Sequence, residues 1–336
     1  MPVSFRVESG TLVVLAGGIV AVAVVFAIGI VLGDYPLAPA DVLAALVGAG
    51  TDAADFIVLE LRLPRLLTGA LVGAALGLSG ALLQATARNP LAAPDLIGIT
   101  AGASLAVVAL IVLGGTVATL VPAALVGGAL AAAIVLGLSW RGSLSRSRLV
   151  LIGIGVNAVC LAGVDWLLLR GQVLEVQQAT VWLVGSLARS SWEDVRLLGI
   201  TLALAVPATV LLARSLEALR LGDGVAASLG ARVARDRLLL VAISVTAAAV
   251  AVSVAGPIAF VAFVAPHLAR GLSRAAGSGI LATSSVVGAL IVVAADLIGR
   301  RLVAPAELPV GVFTVLVGAP YLLWMLRRAS LAGSPA

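Results

Sequence analysis

Apolar residues run in long stretches along this chain, and polar residues gather in short segments between them. A helix needs about 20 predominantly apolar residues to cross roughly 30 Å of bilayer hydrocarbon. Backbone groups inside a membrane must be hydrogen-bonded within the chain, so the stretches predict helices. We predict ten spans, at residues 11–33, 66–87, 95–114, 116–139, 148–169, 196–213, 237–255, 258–268, 279–298 and 309–326. The eighth is short and polar at its end, which favours a half-helix or a segment inside the bundle.

The composition predicts a single all-α membrane domain over residues 1–336. Hydrophobic residues make up 62% of the chain and charged residues 11%, whereas a soluble domain has about 25% charged residues. The first apolar run is too long for a signal peptide and lacks a small-residue cleavage pattern. The net charge of +5 does not indicate nucleic-acid binding, because the arginines lie in short loops.

The distribution of arginine predicts the orientation. All 21 basic residues are arginine. With the N-terminus inside, 14 of them fall in inner segments and seven in outer segments. Cytoplasmic loops of membrane proteins carry the excess of basic residues, so both termini are predicted to be cytoplasmic. This orientation of the C-terminus depends on the eighth span.

Three polar segments stand out among the connections between the spans. Residues 34–61 form an outer connection with a short amphipathic helix near 40–47, and residues 171–194 form a second outer loop. Residues 214–237 form the largest inner loop, in which Gly222 and Gly230 bracket a helical piece at 223–229.

The second span carries glycines at four-residue spacing, Gly69, Gly73 and Gly77. This spacing places them on one helix face, which predicts close approach of another helix.

Several chemistries are excluded or disfavoured. A P-loop needs a lysine on the nucleotide phosphates, and the chain has none. The lone cysteine, Cys160, excludes an internal disulfide. His267 is the only histidine, so a histidine-cluster metal site is excluded, and a structural role is favoured over haem ligation. We therefore predict no cofactor and no metal site.

Two carboxylates fall inside predicted spans, near their outer ends. Asp165 has Arg170 nearby, and Asp296 lies four residues before Arg300, so each can form a structural ion pair. A proton or cation relay is the alternative, since a carboxylate at membrane depth is costly and needs a reason.

Three arginines, Arg62, Arg65 and Arg300, are predicted on the outer face. They can anchor the helices at the lipid headgroups. Alternatively, Arg62 and Arg65 flank a proline in a geometry suited to binding the carboxylates of an acidic soluble partner.

Five motifs in chain order resemble the FecCD family, the permease subunits of ABC importers for iron-siderophores, haem and vitamin B12. They are RLPRLLTGALVGAALGLSGALLQATARNPLAAPDLIGITAGAS (62–104), WLVGS (182–186), LGDGVAASLG (221–230), AGPIAFVAFVAPHLAR (255–270) and ADLIGRRLVAPAELPVGVFTVLVGAPYLLWML (295–326). The resemblance covers nearly the whole chain.

The resemblance implies the vitamin B12 importer-like (type II ABC importer) permease fold, with ten helices per subunit in a dimer. Two cytoplasmic ATPase subunits and an extracytoplasmic substrate-binding protein are the implied partners, with membrane lipid around the bundle. The chain itself then catalyses nothing, and transport proceeds by alternating access. Segments 94–104 and 182–195 are closest to ferric-enterobactin-type permeases. They imply a ferric siderophore as substrate and a paralogous second permease subunit.

Other functions stay open at this point. Within the family, haem or cobalamin is the alternative substrate. Outside it, a secondary ion-coupled carrier and a membrane-embedded enzyme are the alternatives; the carrier predicts transport without ATPase subunits.

The resemblance also assigns roles to particular residues. It implies that Arg62, Arg65 and Arg300 dock the binding protein. The cytoplasmic gate falls to Asn89, Leu91, Ser145, Arg146 and Ser147, although the bulky Arg146 departs from the family pattern. Coupling to the ATPase falls to Gly222, Asp223, Ala227, Ser228, Leu229 and Gly230.

Overall fold

A computed structural model of the chain describes residues 9–33, 35–140, 146–273, 279–302 and 307–332, and these form helices joined by short turns. Seven helical segments are long and apolar enough to cross a membrane: Gly10–Val31, Asp52–Ala87, Val117–Ser139, Arg148–Arg170, Trp192–Leu211, Val233–Ala255 and Gly279–Leu302. Three shorter apolar helices are Ile99–Val112, Val261–Leu272 and Val310–Met325. These ten segments follow the ten predicted spans in order, which confirms the all-α architecture.

Fifteen α-helices occur in the described parts of the chain. They are α1 (Ser9–Val31), α2 (Pro39–Leu46), α3 (Asp52–Asp55), α4 (Leu63–Ala87), α5 (Ile99–Val112), α6 (Leu120–Ser139), α7 (Arg146–Arg170), α8 (Val173–Leu183), α9 (Trp192–Leu211), α10 (Ala213–Leu221), α11 (Asp223–Ser228), α12 (Val233–Ala255), α13 (Val261–Leu272), α14 (Gly279–Leu302) and α15 (Val310–Ala332). Helices α2 and α11 confirm the short helices predicted in the first outer segment and in the inner loop.

Helix α4 begins earlier than the predicted span. A π-helical stretch, Phe56–Arg62, leads directly into it, and Pro64 lies in its first turn. Proline lacks the backbone N–H and its ring crowds the preceding turn. The wider π turn accommodates the missing hydrogen bond and the crowding by the proline ring. The helix therefore continues from the connection into α4 without a break.

The eighth span is short, as predicted. Helix α13 has 12 residues, which is about 18 Å at 1.5 Å per residue, too short for the hydrocarbon layer. It begins after Phe260, which has a positive φ of 66°. The chain therefore turns inside the bundle before this half-helix starts.

The polar segments are more helical than their composition suggested. The segment 171–194, predicted to be outer, contains α8. Glu175 fixes the start of α8, because its carboxylate accepts a hydrogen bond from the Gln172 backbone N–H at 2.8 Å. In the inner segment 214–237, α10 buries Ala213, Leu216 and Leu219 on one face. Packing of this apolar face against the bundle stabilises the helix.

The core is organised around α4, which packs against α9, α12, α13 and α14. A Cβ placed at Gly73 would overlap the Gly288 carbonyl of α14, and one at Gly77 would overlap the Ser284 carbonyl. The glycine face therefore brings two backbones into contact, which confirms the predicted close approach. On the α12 side, the Ser79 hydroxyl donates to the Ser244 carbonyl at 2.7 Å.

Candidate docking, gate and coupling sites

Asp296 of α14 binds two of the three predicted docking arginines. Its carboxylate lies 2.9 Å from Arg65 Nη2 of α4 and 3.1 Å from Arg300 Nε, one helical turn further along α14. Only 2% of the Asp296 side chain is exposed. The predicted Asp296–Arg300 pair is thus present, and Arg65 completes a cluster around one buried carboxylate.

Glu307 is a further member of this cluster. Its Oε2 lies 2.9 Å from Arg65 Nη2, and its side chain is 36% exposed. Arg65 therefore sits between a buried carboxylate and a solvent-facing one. Sequence reasoning missed Glu307 because 242 residues separate it from Arg65, so no local spacing connects the two.

Arg62 lies apart from the Asp296 cluster. It is 6% exposed, and its Nη1 donates to the carbonyls of Ile30 and Val31, each at 2.9 Å. Its Nη2 donates to the Tyr35 carbonyl. The last carbonyls of a helix have no partner within the helix, so Arg62 caps the end of α1 and holds the connection after it.

The second predicted ion pair does not form. Asp165 is exposed, and Arg170 lies over the Trp166 ring, 4.6 Å from its centroid. Residues five apart point to different sides of a helix, whereas residues three or four apart share a face. The spacing therefore explains why Asp296 and Arg300 pair while Asp165 and Arg170 do not.

The predicted gate residues lie at the other end of α4. Arg88 ends the helix in the left-handed conformation, with φ of 47°. The Asn89 side-chain oxygen then accepts a hydrogen bond from the Leu91 backbone N–H at 2.9 Å, which fixes the turn. Leu91 is 38% exposed. Of the remaining gate residues, Ser145 lies outside the described residues, and Arg146 and Ser147 are described only as the first residues of α7.

The predicted coupling residues form a compact unit around α11. Gly222 and Gly230 bracket it with φ values of 119° and 84°, which side chains other than glycine rarely adopt. Ala227, Ser228 and Leu229 are exposed. The unit therefore presents a small apolar surface at the end of the bundle.

Asp223 ties this coupling unit to the bundle. Its Oδ1 accepts a hydrogen bond from Arg237 Nη2 of α12 at 2.7 Å and lies 3.7 Å from Arg88 Nη2. One carboxylate thus links α11 to the start of α12 and to the turn that holds the gate residues. No local pattern in the sequence indicates this link, because Arg88 lies 135 positions before Asp223.

The two charged regions lie at opposite ends of α4. The Asp296 cluster is at the start of α4, and the gate and coupling residues are at its end. A helix of 25 residues is about 37 Å long, somewhat more than the hydrocarbon thickness. No group of three or more metal-binding side chains occurs in the described parts of the chain.

Apolar helices with charged clusters at both ends of the bundle define a multi-spanning membrane protein with two polar faces. The FecCD transport family model matches residues 19–328. The chain belongs to the FecCD transport family, and it is therefore a membrane permease.

Named relatives and a solved structure agree with this family. The chain is 42% identical over 301 residues to the achromobactin transport system permease protein of Dickeya dadantii (strain 3937), covering 88% of this chain and 86% of the relative. It is 40% identical over 299 residues to the ferric enterobactin transport system permease protein of Escherichia coli (strain K12), covering 89% and 90%. It is 37% identical over 286 residues to the hemin transport system permease protein of Yersinia pestis, covering 82% and 85%.

The fold matches a structure described as an inward-facing metal-chelate type ABC transporter, with a TM-score of 0.84. The two chains are 29% identical, and the match covers 94% of this chain and 99% of the other. The expected type II ABC importer permease fold is confirmed by this match.

Proposed function

We propose that this chain imports a ferric siderophore across the cytoplasmic membrane, as one permease subunit of an ABC importer. The observation that carries the proposal is the family match together with relatives named for achromobactin and ferric enterobactin at 42% and 40% identity. Movement would occur by alternating access. The chain has no lysine and hence no P-loop, so ATP hydrolysis falls to two separate cytoplasmic subunits.

Haem is the second candidate substrate, because one relative is a hemin permease at 37% identity. The two candidates differ in what must dissociate from the binding protein, an iron chelate or a porphyrin. Competition between labelled ferric siderophore and haem for uptake discriminates between them.

The Asp296 cluster supports docking of an acidic binding protein at the outer end of the bundle. Arg65 lies between Asp296 and Glu307 with 15% of its side chain exposed, and Arg300 lies beside it. Arg62 is buried and donates to the carbonyls at the end of α1, so it would hold the connection after α1 and would not offer its charge to the binding protein. The orientation rests on the arginine count, which puts both termini and the coupling unit in the cytoplasm.

The opposite end supports gating and coupling. Leu91 projects from a turn fixed by Asn89, and Asp223 connects that turn to the exposed α11. A displacement of α11 by an ATPase subunit would therefore be transmitted to the gate turn through the Arg88–Asp223 ion pair. A second permease subunit, a paralogue by the resemblance of residues 94–104 and 182–195, would complete the pathway.

The proposal is tested by reconstituting the chain in vesicles with its second permease subunit, the ATPase subunits and the binding protein. We expect uptake of iron-labelled siderophore that requires ATP. Uptake that persists when the ATPase subunits are omitted would instead identify an ion-coupled carrier. Uptake of haem but not of any ferric siderophore would reassign the substrate within the family.

A further inference from the structure

A cavity of about 300 Å³ opens at the end of the bundle where α4 finishes, between α4, α10, α13 and α14. Its volume is at the lower end of the range of small-molecule sites, about 300–1,000 Å³. Its polar lining consists of Gln84, Arg88, Asn89, Arg220 and Arg270. Three arginines therefore line one cavity, and among the described residues no carboxylate lines it.

One of these guanidinium groups is held in place by buried partners. Arg270 Nη2 donates to the Gln84 side-chain oxygen and lies 3.1 Å from His267 Nδ1. Gln84 is 3% exposed, and its Nε2 donates to the Phe263 carbonyl at 3.3 Å. The position of Arg270 is therefore fixed before any ligand arrives, which lowers the cost of binding one.

The positive charge of the cavity is not balanced within the described structure. Among the described residues, no carboxylate lies within 4.0 Å of Arg220 or Arg270. The carboxylate nearest to Arg88 is Asp223, at 3.7 Å, and Asp223 forms its shorter contact with Arg237. Like charges held together in a partly buried site repel each other, so an anion in the cavity would stabilise this arrangement.

We infer that this cavity binds the phosphate group of a small anion or of a lipid headgroup. Inorganic phosphate presents four oxygens around one centre and can accept from three guanidinium groups at once, whereas a carboxylate has only two oxygens. A lipid phosphodiester has two unesterified oxygens and two ester oxygens around the same tetrahedral centre. The planar arginine fork matches phosphate oxygens in bidentate geometry. Inorganic phosphate can carry two negative charges, whereas a carboxylate or a lipid phosphodiester carries one and would leave more of the positive charge unbalanced.

Binding at this position would also reach the coupling unit. Arg88 lines the cavity, and its Nη2 lies 3.7 Å from Oδ1 of Asp223 at the start of α11. A bound phosphate would compete with Asp223 for Arg88. The ligand would therefore weaken or strengthen the Arg88–Asp223 contact between α11 and the turn that holds Leu91. This effect would not depend on which substrate is transported.

The test uses the full chain in nanodiscs and follows its thermal unfolding midpoint. Arg220→Gln is the main variant, because Arg220 makes no hydrogen bond or ion pair with the described residues. Arg235→Gln is the matched control, since Arg235 is an exposed arginine at the start of α12, outside the cavity. Arg220→Lys is a second variant that keeps the charge and loses the planar fork.

Two probes separate the sources of the phosphate group. Phosphatidylcholine nanodiscs offer only a zwitterionic phosphodiester headgroup, and titrating them with inorganic phosphate against chloride at matched ionic strength measures binding of a free anion beyond that background. Nanodiscs containing phosphatidylglycerol, without added phosphate, measure a lipid headgroup. For at least one probe, we expect saturable stabilisation that is weakened tenfold or more by Arg220→Gln, less by Arg220→Lys, and not by Arg235→Gln.

Equal responses of Arg220→Gln and Arg235→Gln to both probes would overturn the inference. It would also be overturned if Arg220→Gln weakened binding of an ATPase subunit while neither phosphate probe acted on the cavity. The arginines would then contact a protein carboxylate. None of these outcomes depends on which substrate the permease carries.

Discussion

Asp296 holds two arginines while almost none of its side chain reaches solvent. Removing one partner of a buried ion pair is far more costly than removing an exposed one, because the remaining charge stays buried without compensation. Arg65 and Arg300 would both lose their shared partner in the absence of Asp296. At the residue scale, the cluster is therefore a structural element as well as a candidate docking surface.

The first prediction concerns this carboxylate. Asp296→Asn should lower the free energy of unfolding by about 3–5 kcal/mol, the usual cost of leaving a buried charge unpaired. Glu307→Gln should cost about 0–1 kcal/mol, because Glu307 is partly exposed and water compensates its loss. Thermal or denaturant unfolding of the purified variants measures both. Equal losses in the two variants would contradict the role of burial.

The second prediction concerns docking. Reversal of Arg65 to Glu should weaken binding-protein affinity at least tenfold, about 1.4 kcal/mol, by placing like charges opposite each other. Arg62 is buried, so adding Arg62→Glu should act on the connection after α1 and not through a facing charge. The loss should shrink at high salt, since exposed charges are screened over about 8 Å at physiological ionic strength. Surface plasmon resonance measures it.

Arg65→Glu also faces Asp296 inside the chain, and Arg62→Glu removes the cap of α1, so reversal destabilises the permease as well. Compensation separates the two effects. Changing the facing acidic residues of the binding protein to Arg should restore part of the affinity. A loss that no partner reversal repairs would show that the arginines act only within the permease.

At the element scale, the contact between α4 and α14 depends on missing side chains. Gly73 and Gly288 each face the backbone carbonyl of the other, so the two helices approach without any Cβ between them. The hydrophobic effect contributes little to helix association among apolar lipid tails, so close van der Waals packing between helices provides the stabilisation instead. The position of α14, and with it Asp296, follows from these glycines.

The third prediction tests this contact. Gly73→Ala should push the helices apart and destabilise the protein by about 1–3 kcal/mol, the usual cost of overpacking a tight core. Gly155→Ala in α7 is the control, because a Cβ there meets nothing within 4 Å. Alanine favours a helix over glycine, so the control should keep or raise the unfolding midpoint. A midpoint unchanged by Gly73→Ala would argue against close packing.

The fourth prediction concerns the coupling unit. Asp223→Asn removes the carboxylate that joins α11 to Arg88 and Arg237. We expect substrate-stimulated ATP hydrolysis and uptake to fall severalfold while membrane insertion and basal hydrolysis persist. Replacing residues 222–230 with a flexible linker should abolish both activities. Glu217→Gln, which removes an exposed carboxylate from α10, should leave coupling intact; an equal effect there would point to general charge loss instead.

At the scale of the whole molecule, α4 joins the two charged ends and lies at the centre of the bundle. Its start carries Arg65, and its end carries Arg88 and the turn with Leu91. Any rotation or shift of α4 would move both ends together.

The fifth prediction places Leu91 at the closed gate. Cysteine at Leu91 and at its counterpart in the second permease subunit should crosslink in one nucleotide state and block uptake. The native Cys160 is buried and should be replaced by serine to exclude side reactions. Cysteine at Leu43, which is exposed on α2 in the segment predicted to be outer, serves as a control that should not crosslink across the gate. Absence of the Leu91 crosslink in every nucleotide state would remove Leu91 from the gate.

The order of the ten spans, the short helices α2 and α11 and the glycine face of α4 could all be predicted from the sequence. Each depends on local periodicity, local length or the local conformational freedom of glycine. The Asp296–Arg300 pair could also be predicted, because both residues lie one turn apart on the same helix. The motifs from 62–104 to 295–326 were long enough to indicate the family, which the comparisons confirm.

Only the tertiary structure decided which charged residues meet across the chain. Arg65 with Glu307, Arg88 with Asp223 and the arginines of the cavity come from helices distant in sequence, so their contacts depend on how α4, α10, α13 and α14 pack. Packing also buried Arg62 against the end of α1, although its sequence position resembles that of Arg65. Hydropathy and spacing act along one helix and therefore determine the spans, whereas the charged sites arise between helices and are decided by packing.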